Sequence, residues 1–231
     1  MVDASDVLIV IPARGGSKRL PRKNVLPLAG KPLVCWSIET AINTKLGAQI
    51  LVSSDDDEIL AIASNYENKG VVLRKRPDAL ASDTASTTDV LIDAIDAVRK
   101  SEHNPKVLIL LQPTSPLRTT DDVLSAYELF KQRGSPDSVV TVCEVDHPTA
   151  WVGSVDQNSV FRGAGLSAKR SQDFEKEYRL NGAVYVLDIE VLMKCRTLFT
   201  DRLLASVMPR KRSIDIDEKL DFLVCECLIE A

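Results

Sequence analysis

Two groups of side chains in this sequence have the types and spacing to do chemistry. The first lies in VLIVIPARGGSKRLPRKN, residues 7–24, which holds Arg14, Ser17, Lys18, Arg19, Arg22 and Lys23 around Gly15 and Gly16. The chain has 33 acidic and 29 basic residues, yet no Asp or Glu occurs from Val7 to Ile38. Glycines let backbone N–H groups turn toward an anion, and fixed cations hold it there. The stretch reads as a polyphosphate cradle, with a solvated basic loop as the plainer alternative. It matches neither the Walker pattern G-x-x-x-x-G-K-[ST] nor the dinucleotide pattern G-x-G-x-x-G. The second group is Asp215 and Asp217, which alternate with Ile214 and Ile216. In an extended segment, residues two apart share a face, so both carboxylates would look into one cavity. Magnesium is usually held by one or two carboxylates plus substrate phosphates. The competing reading makes Asp217 the cap of a final helix. A cationic loop and a carboxylate pair together suit a metal–nucleoside triphosphate.

The elements around these groups point to an α/β fold. Val7 to Ile11 is wholly apolar and mostly β-branched, as a strand buried on both faces requires, and Pro12 ends it. The cationic loop therefore falls beyond the carboxyl end of a strand, where ligands sit in open α/β sheets. Strand-like segments recur at Gln49–Ser53, Val71–Leu73, Val107–Leu111 and Ser138–Val142, with helical patterns between them. Asp55, Asp56 and Asp57 crowd a helix start, Gly70 is read as that helix's stop, and Thr119 or Thr120 caps a later helix. Strand and helix alternate for about 145 residues, which calls for a doubly wound, mostly parallel sheet with right-handed crossovers. The rhythm breaks over residues 144–180, a polar stretch holding Trp151, Phe161, Phe174 and Tyr178. It reads as an excursion from a single domain spanning 1–231, either a binding or oligomer surface or a cover for the sheet edge. Strands are expected again at Gly182–Leu187 and Leu204–Met208, and a last helix over Glu218–Ile229.

Composition narrows the class. With 231 residues, 45% hydrophobic and 27% charged, the chain can bury an ordinary core. A net charge of −4 argues against a nucleic-acid partner, and no apolar run approaches a membrane span. Residues 1–6 show no secretory signal pattern. Five scattered cysteines do not form a disulfide framework; all are read as reduced and buried, in a cytoplasmic protein. Of two histidines, His103 suits a surface turn, and His147 suits either a loop or a substrate contact.

Five segments together resemble one family, the CMP-sialic acid synthetases (N-acylneuraminate cytidylyltransferases) with their sister legionaminic-acid enzymes. They are IPARGGSKRLPRKN (11–24), RPDALASDTAST (76–87), LLQPTSPLR (110–118), RLNGAVY (179–185) and SIDID (213–217). The resemblance implies a Rossmann-like nucleotidyltransferase that moves CMP from CTP to the anomeric hydroxyl of a nine-carbon 2-keto sugar acid, with Mg2+. It implies that Arg14, Ser17, Lys18 and Lys23 hold the triphosphate, and that Asn24 assists with the nucleotide. Arg76 and Thr87 would take the cytosine, Gln112, Asn181 and Tyr185 the sugar, and Asp215 and Asp217 the metal. Arg14, Lys18, Lys23, Asp215 and Asp217 would carry the catalysis. It also implies a homodimer in which 144–180 reaches over the partner's site. Two positions depart from the pattern. Arg19 replaces a common glycine, and Arg170 lies nine rather than eight residues before Arg179, so it would hold the sugar carboxylate through a one-residue insertion. Rival readings are another 2-keto sugar acid such as a Kdo-type substrate, or a non-catalytic nucleotide-sugar-binding module.

Overall fold

The computed structural model describes residues 6–81, 85–134, 137–163, 165 and 169–230. The strands in chain order are β1 (Val7–Pro12), β2 (Pro27–Leu28), β3 (Lys31–Pro32), β4 (Gln49–Ser54), β5 (Val71–Lys75), β6 (Val107–Leu111), β7 (Ser138–Glu144), β8 (Gly153–Val155), β9 (Phe161–Gly163), β10 (Tyr178–Asp188) and β11 (Leu203–Val207). The helices are α1 (Leu33–Asn43), α2 (Asp57–Ser64), α3 (Thr87–Arg99), α4 (Thr120–Gln132), α5 (Ile189–Cys195) and α6 (Lys219–Glu230). Seven strands form one sheet in the order β11-β7-β10-β6-β1-β4-β5. All pairings are parallel except those of β10, which runs antiparallel between β6 and β7. The mostly parallel, doubly wound sheet expected from the alternation is present.

The period of two in β1 explains both layers. Val7, Ile9 and Ile11 pack with Val34 and Ile38 of α1, Ile59 of α2 and Phe130 of α4. Leu8 and Val10 pack on the other face with Leu91 and Ile95 of α3 and Leu192 of α5. A strand apolar at every position is what two covered faces demand. The chain reverses its winding direction between β1 and β6, so the crevice beyond their carboxyl ends is the expected ligand position.

A third, smaller core joins distant segments. Leu20, Leu28 and Leu33 pack with Ile216, Phe222 and Cys225. It seats the loop after β1 against the segment before α6. That segment, Ser213–Asp217, is irregular rather than a strand, but the expected alternation holds: Ile216 is buried while Asp215 and Asp217 are open.

Some expectations change. The second helix stops at Ser64; a 3-10 turn over Glu67–Lys69 follows, and it is this turn that Gly70 closes at φ 84°. Cys35, Cys143 and Cys225 are buried as expected, but Cys195 and Cys227 are exposed, the first ending α5 and the second on the outer side of α6. Within 144–180, β8 and β9 form a small hairpin, and Trp151 meets Phe174 edge-on with ring centroids 6.1 Å apart. No helix of the described residues is long and apolar enough to cross a membrane.

Candidate active site

The loop after β1 is held open by acidic groups from the end of β4. Gly15 N donates to Asp55 Oδ1 at 3.1 Å. A Cβ at Gly15 would lie 2.4 Å from Asp56 Oδ2, so only glycine fits there. Asp56 caps α2, accepting from Glu58 N at 3.0 Å and Ile59 N at 3.1 Å. The Arg22 guanidinium pairs with Asp56 and Glu58, and its hydrogen bond holds the Asp56 carboxyl below its ordinary range. The three aspartates thus open a helix, as their spacing suggests, and two of them, Asp55 and Asp56, also latch the loop. Arg22 is turned away by this latch, whereas Arg14, Ser17, Lys18, Lys23 and Asn24 line a cavity of about 520 Å³.

The rest of the cavity wall comes from the carboxyl ends of the neighbouring strands. Arg76 follows β5; it is buried, with Nε donating to Ser53 Oγ at 3.0 Å and a terminal nitrogen to Ser53 O at 2.8 Å. Thr87 opens α3 behind the cap Ser86. Gln112 and Thr114 follow β6. Asn24 Nδ2 donates to Arg14 O at 2.9 Å, while its buried Oδ1 has no donor among the described residues.

Asp215 and Asp217 close the cavity opposite the cationic loop. Ile216 N donates to Thr114 O at 2.7 Å, which anchors this segment to the turn after β6. Lys23 Nζ donates to Ile216 O and lies 3.5 Å from Asp217 Oδ1, while Arg19 lies 3.1 Å from Asp217 Oδ2. The helix cap is supplied by Asp221, whose carboxylate accepts from the N–H groups of Asp217 and Glu218 at 2.9 and 2.8 Å. The carboxylate of Asp217 is therefore directed to the loop cations and not to α6. Asp215 opens into the cavity, and the protein packed around it pushes its carboxyl above the ordinary value; a Thr114 hydrogen bond opposes the shift and the neighbouring Asp217 charge adds to it.

Three sequence-chosen residues do not line this cavity. Asn181 is buried at the bulge in β10, accepting from Thr141 Oγ1 at 2.7 Å and donating to Ser213 Oγ at 2.9 Å. Tyr185 is buried beneath α5 and meets Phe199 edge-on. Arg170 is exposed and pairs with Asp173 at 3.2 Å. His147 lines a separate hollow of about 530 Å³ with Phe174 and four carboxylate residues. Sequence reasoning assigned no role to Gly182 or Arg118. Gly182, at φ +72°, passes so close to the site that a Cβ would lie 3.0 Å from Gln112 Oε1 and 3.6 Å from Asp215 Oδ2. Its signal was a glycine at a strand irregularity. Arg118 signals only as a basic residue following an apolar strand and a proline turn.

The geometry is that of a polyanion site with two carboxylates, and the family model described as Cytidylyltransferase matches residues 8–183. The chain belongs to the cytidylyltransferase family. As a cytidylyltransferase it is a nucleotidyltransferase. It is 33% identical over 234 residues to the CMP-N,N'-diacetyllegionaminic acid synthase of Legionella pneumophila, covering 97% of this chain and 96% of that one. It is 34% identical over 212 residues to the pseudaminic acid cytidylyltransferase of Campylobacter jejuni serotype O:2, covering 91% and 90%. It is 31% identical over 217 residues to the N-acylneuraminate cytidylyltransferase of Escherichia coli O18:K1:H7; that match takes in 94% of this cytidylyltransferase but only 50% of the longer relative. A solved CMP:2-keto-3-deoxy-manno-octonic acid synthetase complexed with CTP shares the fold at TM-score 0.70 and 19% identity, over 97% of this chain and 98% of that chain.

Proposed function

We propose that this cytidylyltransferase transfers CMP from CTP to the anomeric hydroxyl of a nine-carbon 2-keto sugar acid, releasing pyrophosphate. The observation that carries the reading is the convergence of the loop cations and both aspartates on one cavity, with Lys23 touching both sides. A hollow of about 520 Å³ suits a nucleotide. Arg14, Ser17, Lys18 and Lys23 would hold the triphosphate, and the cations would neutralise charge building on the phosphoryl oxygens and the departing pyrophosphate. Asn24 Oδ1, a buried acceptor awaiting a donor, suits a nucleotide hydroxyl or amine. Arg76 and Thr87 would meet the cytosine and Gln112 the sugar. Asn181 would shape the sugar side from behind, by locking the bulge that carries Gly182, and Tyr185 would support it.

The donor set fits a divalent cation. Asp215 and Asp217 are like charges near each other at the cavity, and the Asp217 charge helps to raise the Asp215 carboxyl, so a cation held by them would relieve the repulsion. Asp215 and Asp217 would hold magnesium, which when bound would supply Lewis-acid charge stabilisation for phosphoryl transfer. The exposed Trp151, Val155 and Phe161 of the 144–180 excursion suit a homodimer contact. In that arrangement Arg170 would leave Asp173 and meet the sugar carboxylate of the partner's site. All five cysteines are free, as in a cytoplasmic protein.

The test is pyrophosphate release with CTP, Mg2+ and a panel of N-acetylneuraminate, N,N'-diacetyllegionaminate, pseudaminate and Kdo. Turnover with a nine-carbon acid, lost with UTP, GTP or ATP and reduced on the order of 10²-fold or more in Arg14→Ala, is the expected result. Tight CTP binding without pyrophosphate release from any acid would contradict it and favour a non-catalytic module.

A further inference from the structure

We infer that Arg118 is a positioning residue for this reaction: its buried guanidinium fixes the turn Gln112–Ser115, so that the Gln112 side chain and the Asp215 carboxylate face one point of the cavity. The inference rests on the proposed roles of Gln112 and Asp215.

Arg118 is 3% exposed. One terminal nitrogen donates to Gln112 O at 2.8 Å and Ser115 O at 2.6 Å, and the other to Ser37 Oγ on α1. Among the described residues no carboxylate lies within ion-pair distance, and burial without such a partner pulls the guanidinium pKa down to about 9. An arginine buried against neutral oxygens is a costly arrangement, retained here by a planar fork that holds both ends of one turn with one nitrogen and ties that turn to Ser37 of α1 with the other. A lysine offers a single nitrogen and cannot stand at both positions of the fork.

That turn touches two other parts of the wall, the segment of Asp215 and the β10 bulge. Thr114 O accepts from Ile216 N at 2.7 Å, which fixes the backbone next to Asp215. Ser115 Oγ lies 3.5 Å from Asn181 O, which places the β10 bulge. A Cβ built on Gly182 would meet both Gln112 Oε1 and Asp215 Oδ2, so these two side chains border the same space. A shift of the turn would move Gln112 directly and Asp215 through Thr114. The cationic loop has no hydrogen bond to Arg118 among the described residues and would stay in place.

The test is Arg118→Lys, which keeps a cation but not the fork. CTP affinity without metal should stay within about twofold. Mn2+ affinity with CTP present, read by electron paramagnetic resonance, should fall on the order of tenfold, as for groups that orient metal ligands. The turnover number should fall by at least about tenfold, since a displacement near 1 Å at a reacting centre has that scale of effect. A fold-stabilising role alone would lower the melting temperature and leave Mn2+ affinity and turnover unchanged below the melt; that outcome overturns the inference. Should Arg118→Lys not fold, Ser37→Ala removes one acceptor, and at least a twofold loss of Mn2+ affinity is expected. Unchanged Mn2+ binding in that variant overturns the inference. Asp215→Asn is measured alongside. If it binds Mn2+ like the parent, the metal reading itself falls and this assignment with it. If it is weakened while Arg118→Lys is not, only the role of Arg118 is lost.

Discussion

Replacing Gly15 by alanine tests how the cationic loop is held. The added Cβ would sit 2.4 Å from Asp56 Oδ2, 2.8 Å from Asp56 Cβ and 2.9 Å from Asp56 Cγ. Asp56 is a short side chain tied at three points: to Arg22, Glu58 N and Ile59 N. It cannot step aside and keep its cap on α2. Losing an N-cap costs about 1 kcal/mol, which in a chain of this size lowers the melting temperature by about 2–4 °C. The alternative is that the loop backs away, breaking the contact from Gly15 N to Asp55 and displacing Arg14 and Lys18. The KM for CTP should then rise on the order of tenfold or more. Gly16 is the control, because a Cβ there meets nothing within 4 Å. Gly16→Ala should melt within about 1 °C of the parent, as an unobstructed surface change does. Thermal melts of the two variants, with initial rates against CTP for Gly15→Ala, decide the matter. Equal melting temperatures in the two variants, with parental CTP kinetics in Gly15→Ala, would refute the latch.

Two further outcomes follow from ion pairs around the carboxylate segment. Asp122 is buried; burial alone would raise its carboxyl, but hydrogen bonds from Arg212 at 2.8 and 2.9 Å and from Thr119 hold it below the ordinary 3.8. A depressed folded-state value contributes stability above the unfolded value and loses it as pH falls through the folded one. Asp122→Asn should therefore melt lower by a constant margin at pH 5–7, and the margin should narrow only below about pH 3.8; a margin that shrinks between pH 7 and 5 would reject this. Arg19 competes with a metal for Asp217, so Arg19→Gly should tighten Mn2+ binding in the absence of CTP. The gain should stay under about fivefold, because an exposed pair is worth at most about 1 kcal/mol. Weaker Mn2+ binding in that variant would show that Arg19 does not compete.

Much of this was legible in the sequence where the cause is local. Val7–Ile11 and Val107–Leu111 declare strands covered on both faces because every position is apolar. The loop's missing carboxylates and the Ile–Asp alternation at 214–217 marked both chemical groups. What could not be read depends on residues far apart in the chain. The insertion of β10 antiparallel between β6 and β7 is decided by pairings made only in the folded sheet. Arg22 looks like its neighbours in sequence, but Asp56 and Glu58, more than thirty residues away, remove it from the cavity. Asn181 reads as a polar residue available to a ligand, yet Thr141 and Ser213 satisfy it in the interior. Arg118 reads as a surface basic residue and is buried, because two backbone oxygens of a turn and the Ser37 hydroxyl accept from its terminal nitrogens.

The most direct measurement is a crystal structure with CTP and Mn2+, located by its anomalous signal. The expected result is one CTP with its triphosphate against Arg14 and Lys18, and the ion coordinated by Asp215 or Asp217 and by phosphate oxygen. A nucleotide bound elsewhere, or an ion that touches neither aspartate, would contradict the convergence of the two groups on one triphosphate.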